Sequence, residues 1–398
     1  MKPTRFLLFF VLAAGVASAQ QISVTSPDYC SDINGTTSIA LSAPGFQELT
    51  VKCWKQGPGA GADSTMGKVT LDDQGKGSID FPADQYPHGP ITVRIYGVNG
   101  TAKDTCYLQL YNKGGVSWNE GMPKDPPPAE GMKLVFADDF SGPLSISSTD
   151  PKATYYDHKP PGGTQDFSSP MRFTSFDSSK NPFSQVDTYL RIRADGNKKS
   201  TGLISSVKSD GSGITASAPC YFECRFIAPD AKGSWPAFWL LTDSLDQPNG
   251  DHLPTDELDI IEAYGGDGPG SPNCPNLYRT TPHAWNQPGN KGLEEQANKD
   301  VHNPIDMNKF GISNWPDTFH IYGCKITDTD TIYYLDNVEV SRHKTMPTSK
   351  KSPFFFLINL GTGGGWPVDF SRYNNIGDMY VDYVRVYAGT PAAPAPTP

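Results

Sequence analysis

Asp256-Glu257-Leu258-Asp259-Ile260-Ile261-Glu262-Ala263-Tyr264 sets carboxylates among β-branched and aromatic residues, a mixture that reads as a strand. Side chains alternate faces along a strand, so Glu257 and Asp259 share one face while Glu262 would point away. One extra residue between Asp259 and Glu262, held as a β-bulge, returns Glu262 to their side. Three acids on one face repel one another and are costly to desolvate. No Lys or Arg lies between Asp256 and Tyr264 to pair with them, so a structural salt-bridge strand is the weaker reading. Chemistry is the stronger one.

Glycoside hydrolysis with retention of configuration calls for this set. It needs a carboxylate nucleophile and a protonated carboxylic acid about 5–5.5 Å apart. On a flat strand, with roughly 3.3 Å of rise per residue, Glu257 and Glu262 lie too far apart. Curvature, the bulge and two long side chains must close the gap. Asp259 between them is expected to keep the acid protonated through like-charge repulsion and hydrogen bonding.

Glu257-Leu258-Asp259-Ile260-Ile261-Glu262 resembles the bulged signature of laminarinase-like glycoside hydrolase family 16. Gly233-Ser234-Trp235-Pro236-Ala237-Phe238-Trp239-Leu240-Leu241 is similar to the family's preceding strand. Pro353-Phe354-Phe355-Phe356-Leu357-Ile358-Asn359-Leu360, with Gly363-Gly364-Gly365-Trp366-Pro367, resembles a later strand and loop. Val381-Asp382-Tyr383-Val384-Arg385-Val386-Tyr387 is similar to the family's last strand. The resemblance covers residues 132–388 and implies an all-β jelly roll of two curved antiparallel sheets with a cleft on the concave face. It implies Glu257 as nucleophile, Glu262 as acid and base, and Asp259 as the residue tuning both. It also implies an endo-acting enzyme on β-1,3- or mixed β-1,3/1,4-glucan. A β-galactan, agar or bacterial exopolysaccharide remains open as substrate, as do a transglycosylase and a sugar-binding protein. The segment from Asp267 to Gln287, which would help decide, carries no legible code.

Aromatic side chains are weighed as sugar platforms, because their flat faces bury much area per contact. Trp235 and Trp239 would share a face with Phe238 opposite; Trp235 favours the cleft, and Trp239 divides evenly between cleft and core. Tyr264, His283, Trp285 and Trp366 complete the candidate substrate contacts. The chemistry requires no cofactor. The resemblance places a structural calcium near Asp382, with a solvated carboxylate as the equal alternative.

Lys2 and Arg5 precede an apolar run from Phe6 to Ala17, and Ala17-Ser18-Ala19 offers a cleavage site. Residues 1–19 therefore read as a signal peptide, and a secreted or extracellular protein is expected, with the periplasm as an alternative. A net charge of −10 disfavours nucleic acid and anionic membrane surfaces and is compatible with a neutral polysaccharide. A monomer is expected.

Residues 20–112 carry short β-branched runs separated by turn residues and read as a smaller immunoglobulin-like β-sandwich. Asn99-Gly100 is its hairpin turn. Trp54 and Tyr111 offer a sugar platform there, or core packing. Residues 113–131, with Pro126-Pro127-Pro128, form a stiff linker in which Trp118 offers an anchor. Residues 389–398 read as a disordered tail. Of seven cysteines, Cys53 and Cys106 could bridge the sandwich's two sheets. Cys220 and Cys224, four apart in one strand, cannot bond to each other. From Met132 onward, Phe222, Cys224 and Phe226 alternate with Glu223 and Arg225, giving one buried and one polar face, and Asp336-Asn337 makes a two-residue hairpin turn. No stretch demands a long helix.

Overall fold

A computed structural model describes residues 21–54, 65–115, 122–160, 166–243, 253–266, 275–301 and 303–389. The expected signal peptide, Trp118, Cys274, residues 267–274 of the undeciphered segment and the tail after Gly389 lie outside them. Gly389 itself closes the last strand, Ile376–Gly389.

The N-terminal strands form a three-stranded sheet and a five-stranded sheet. Alternation along Gly89–Asn99 explains how the larger one is used. Ile91, Val93 and Ile95 enter the apolar cluster shared with Ile39, Leu41 and Phe81 of the smaller sheet. Thr92 and Arg94 point the other way and are nevertheless buried, because that face docks on the second half of the chain. Arg94 Nε donates to Asp317 at 2.7 Å and Nη1 to Asp230 at 3.0 Å. The Gln109 amide donates to the Asp378 carbonyl at 2.6 Å and accepts from the Asp378 N–H at 2.9 Å. Tyr111 packs on Tyr380 at 5.6 Å between ring centroids. Trp54 and Tyr111 are both buried, so neither offers a sugar platform.

Two local expectations shift. The hairpin closes at Asn99↔Ala102, so its two turn residues are Gly100 and Thr101, with Gly100 taking the positive φ of +59°. Cys53 and Cys106 lie on the same sheet, paired to Val93 and Ile95 of the strand between them, and both thiols are free. They bridge nothing.

The larger half stacks a ten-stranded sheet on a six-stranded one. In chain order we label Cys220–Ile227 β1, Ser234–Thr242 β2, Thr255–Glu262 β3, Leu277–Trp285 β4, Phe354–Thr362 β5 and Ile376–Gly389 β6. Phe222, Cys224 and Phe226 of β1 share one buried cluster with Val384 and Val386 of β6. Phe238, Leu240, Leu258, Phe356 and Ile358 of the other sheet join it. This apolar layer holds the two sheets together, since burial of such surface is the dominant favourable term in folding.

The other face of β1 is polar and also buried. Glu223 receives Arg385 Nε at 2.6 Å. Arg385 Nη1 in turn donates to the Pro123 carbonyl at 2.8 Å, pinning residues that precede the sheet. Turn residues Asp336 and Asn337 take φ of +49° and +67° between Leu335 and Val338, as their sequence predicts.

Candidate active site

In the six-stranded sheet β3 lies between β2 and β4, with β5 on the far side of β2. Its register carries the bulge. Against β4, Asp259 pairs with Thr281 and Glu262 with Arg279, so three steps on β3 meet two on β4. Against β2, Ile261 pairs with Phe238 and Asp259 with Trp239, which leaves Ile260 as the extra residue. Ile260 and Ile261 stay in the core, and Glu257, Asp259 and Glu262 emerge together on the outer face.

That face has two halves. Over Ala237, Trp239, Leu241, Phe355 and Leu357 it is covered by Phe167 and Phe173. Trp239 belongs to this covered half, only 5 % exposed, and its indole N–H donates to Asn359 at 2.8 Å. The Lys159 ammonium lies 5.5 Å from its ring centre. Trp239 is therefore floor packing and not an exposed platform. Over the acids the face is open.

Glu262 accepts from the Trp235 indole at 3.1 Å, the Tyr264 hydroxyl at 3.1 Å and Thr281 at 3.3 Å. Three donors from three segments fix its carboxylate. Trp235 stacks on Tyr264 at 5.4 Å and 21°, and Trp366 meets Tyr264 edge-on at 6.4 Å. The glycines before Trp366 make this aromatic corner possible. A Cβ on Gly364, whose φ is +57°, would lie 2.9 Å from the Trp235 ring. Trp366 is 40 % exposed and Trp285 47 %, so both present ring to solvent at the open half.

Glu257 accepts from the Trp285 indole at 3.1 Å, and 13 % of its side chain reaches solvent. Its cross-strand partner is His283. The imidazole stacks on Trp285 at 4.9 Å and 23°. Its Nε2 lies 3.5 Å from Asp259 and 3.9 Å from Glu257, and its Nδ1 lies 3.6 Å from Glu294.

Burial raises the Glu257 carboxyl above the usual range, opposed by the charges of Lys159 and His283 and by the Trp285 N–H. Asp259 is raised well above it, first by burial and then by its neighbours Glu262 and Glu257. Burial alone would lower His283, but Asp259, Glu257 and Glu262 raise it to about 9, so it is an imidazolium at neutral pH. Asp259, expected from the sequence to tune its neighbours, is itself raised more strongly than Glu257.

Asp256, on the opposite face of β3, anchors the rim. Its carboxylate accepts from Gln287 at 2.7 Å and from the Ser349 N–H and hydroxyl at 2.7 Å each. Asp382 is buried and ion-paired to Arg225. A carboxylate already engaged by a guanidinium does not fit a calcium ligand, and its burial means that the solvated-carboxylate alternative fails too. Among the described residues, the one group with metal-ligating spacing is Glu257, Asp259 and His283.

Lys159, Thr281, Asn359 and Glu294 were not legible as site residues. Glu294 sits on a ten-residue helix, Lys291–Asp300, which we label α1. Its Lys-Gly-Leu-Glu-Glu-Gln-Ala run favours helix but does not say which carboxylate faces the acids.

The sequence profile described as Glycosyl hydrolases family 16 matches residues 174–385. "Endo-1,3-1,4-beta-glycanase EglC" of Rhizobium meliloti (strain 1021) is 30 % identical over 226 residues, 53 % of this chain and 40 % of that protein. "Endo-1,3-1,4-beta-glycanase ExsH" of the same organism is 29 % identical over 224 residues, with the same two coverages. This chain thus spans about 40 % of the length of these curated relatives. Among solved structures, the laminarinase catalytic domain from Thermotoga maritima MSB8 aligns at 20 % identity and a TM-score of 0.47, covering 66 % of this chain and all of that one. With more than half of its length matched, the chain belongs to glycosyl hydrolases family 16.

Proposed function

We propose that this protein is an exported endo-acting glycoside hydrolase that cleaves β-1,3- or mixed β-1,3/1,4-glucan with retention. The observation that carries the proposal is the bulge at Ile260, which turns Glu257, Asp259 and Glu262 onto one open face among exposed indoles. The printed activities of the Rhizobium relatives support the linkage class.

In the first step a Glu257 oxygen attacks the anomeric carbon as the bond to the leaving oxygen breaks. Glu262 passes its proton to that oxygen. A covalent glycosyl ester on Glu257 results. In the second step Glu262 takes a proton from water, whose oxygen bonds the anomeric carbon and releases Glu257. Trp235, Tyr264 and Thr281 hold Glu262 at the leaving oxygen through both steps. Lys159, His283 and Trp285 favour the ionised form of Glu257 against its burial. Asp259, buried between the two glutamates and facing His283 at 3.5 Å, couples their ionisation. Trp366 and the outer face of Trp285 offer stacking surfaces to sugar rings.

The test is reducing-end release from laminarin, mixed-linkage glucan, β-galactan, agarose and a succinoglycan-type exopolysaccharide, with Glu257→Gln alongside. Cleavage of laminarin or mixed-linkage glucan, lost in the variant, is expected. Cleavage of another polymer alone keeps the chemistry and replaces the substrate. New products without new reducing ends mark a transglycosylase. Binding without cleavage by both proteins returns the fold to a sugar-binding role.

A further inference from the structure

Resting on the hydrolase reading, we propose that Glu294 of α1 is a positioning residue for the nucleophile, acting through the imidazole of His283 and the indole of Trp285. The contacts are continuous. Glu294 Oε1 faces His283 Nδ1 at 3.6 Å, and the other ring nitrogen faces Asp259 at 3.5 Å and Glu257 at 3.9 Å. The ring plane so fixed carries Trp285, stacked at 4.9 Å and 23°. Trp285 then donates its indole N–H to Glu257 at 3.1 Å. With carboxylate oxygens 3.6 Å from Nδ1 and 3.5 Å from Nε2, the site favours the doubly protonated, positively charged ring. Helix α1 packs against β4, so Glu294 comes from outside the strands that carry the acids.

The groups bearing on His283 are Glu257, Asp259 and Glu262 from β3 and Glu294 from α1. Lys159 bears on Glu257 from a separate loop, and buried Asp256 interacts with Glu294 from beneath. Two roles for Glu294 predict opposite signs. As a distant negative charge only, its removal eases ionisation of Glu257 and moves the acid limb of kcat/KM to lower pH. As the residue that holds His283 protonated and in plane, its removal weakens the cation and the indole beside Glu257. The acid limb then moves to higher pH.

The experiment compares Glu294→Leu with Glu294→Gln, which keeps the shape and a polar oxygen beside Nδ1 without the charge. For Glu294→Leu the expected results are an acid limb raised by about half a pH unit and kcat lowered several-fold with KM within about twofold. Glu294→Gln should recover most of kcat, and in a His283→Asn background Glu294→Leu should add nothing. Without any substrate, NMR should show the Trp285 indole N–H resonance displaced in Glu294→Leu and close to wild type in Glu294→Gln. An unmoved indole resonance, an acid limb moving down, or additivity with His283→Asn would each overturn the proposal. Absence of cleavage by the wild type would refute the hydrolase reading alone, because the indole resonance still decides this one.

Discussion

Replacing Arg94 with Met tests how the two halves of the chain are joined. The guanidinium lies between two carboxylates, Asp230 and Asp317, all three side chains being 5 % exposed or less. Methionine fills much of the same volume but leaves both acids in the interface with no guanidinium between them. Removing one partner of a buried ion pair costs about 3–5 kcal/mol, and the upper half is expected here because two carboxylates share the cation. Burial already raises the Asp230 carboxyl, and Arg94 is the leading influence opposing it. The sign of the pH effect follows. In acid Asp230 is protonated and needs no cation, so the deficit is small. As pH rises above the ordinary carboxyl range, the variant must either ionise Asp230 unassisted or hold its proton, and the deficit grows. Urea unfolding of both proteins at pH 5 and pH 8 measures this, with Lys344→Met as control. That exposed pair with Asp330 should contribute little, because solvent screens it. A loss for Arg94→Met no larger than the control, or one independent of pH, would refute the buried-pair account.

Trp285→Phe keeps a ring on His283 but removes the N–H to Glu257; the acid limb of kcat/KM should rise by about one pH unit, for a charge-assisted hydrogen bond near ~1.5 kcal/mol. A limb that stays put would mean the indole does not hold the nucleophile. Trp366→Ala should raise KM about three- to tenfold with kcat nearly unchanged, the signature of a lost stacking surface. Gly364→Ala should be worse than its size suggests, because φ of +57° disfavours any side chain and the added carbon meets the Trp235 ring. About 1–3 kcal/mol of stability and a raised KM are expected, read by thermal unfolding and initial rates.

What could be read from the chain followed periodicity. Two-residue alternation exposed the bulge only because Glu257, Asp259 and Glu262 are all acids, one of which a flat strand would turn into the core. A bulge among mixed residues would have passed unseen. Alternation did not show that Asp259, with the shortest side chain of the three, is the one buried while Glu257 and Glu262 stay half-buried. The Asp336-Asn337 turn was legible because both residues tolerate positive φ.

What could not be read depended on which surfaces meet. Arg94, Thr92 and Gln109 occupy the outward positions of their strands, where alternation says only that they leave the core. Burial of that face by a second sheet is a tertiary fact. The same holds for Trp54 and Tyr111, whose aromatic rings suit a sugar or a neighbouring domain equally well. Trp239 shares its strand face with Trp235, and Phe167, far away in sequence, meets both rings edge-on, yet only Trp239 is buried. Glu294 and Lys159 reach the acids from segments with no local signal of their destination.

The most direct test of the central claim is the anomer that forms first. Laminarin or mixed-linkage glucan is mixed with enzyme in deuterated buffer, and the new reducing ends are followed by proton NMR from the first minute. The account predicts that the β-anomer appears first and the α-anomer follows by mutarotation, since Glu257 attack and water attack each invert the anomeric carbon once. An α-anomer appearing first would mean a single displacement by water and would remove Glu257 from the role of nucleophile.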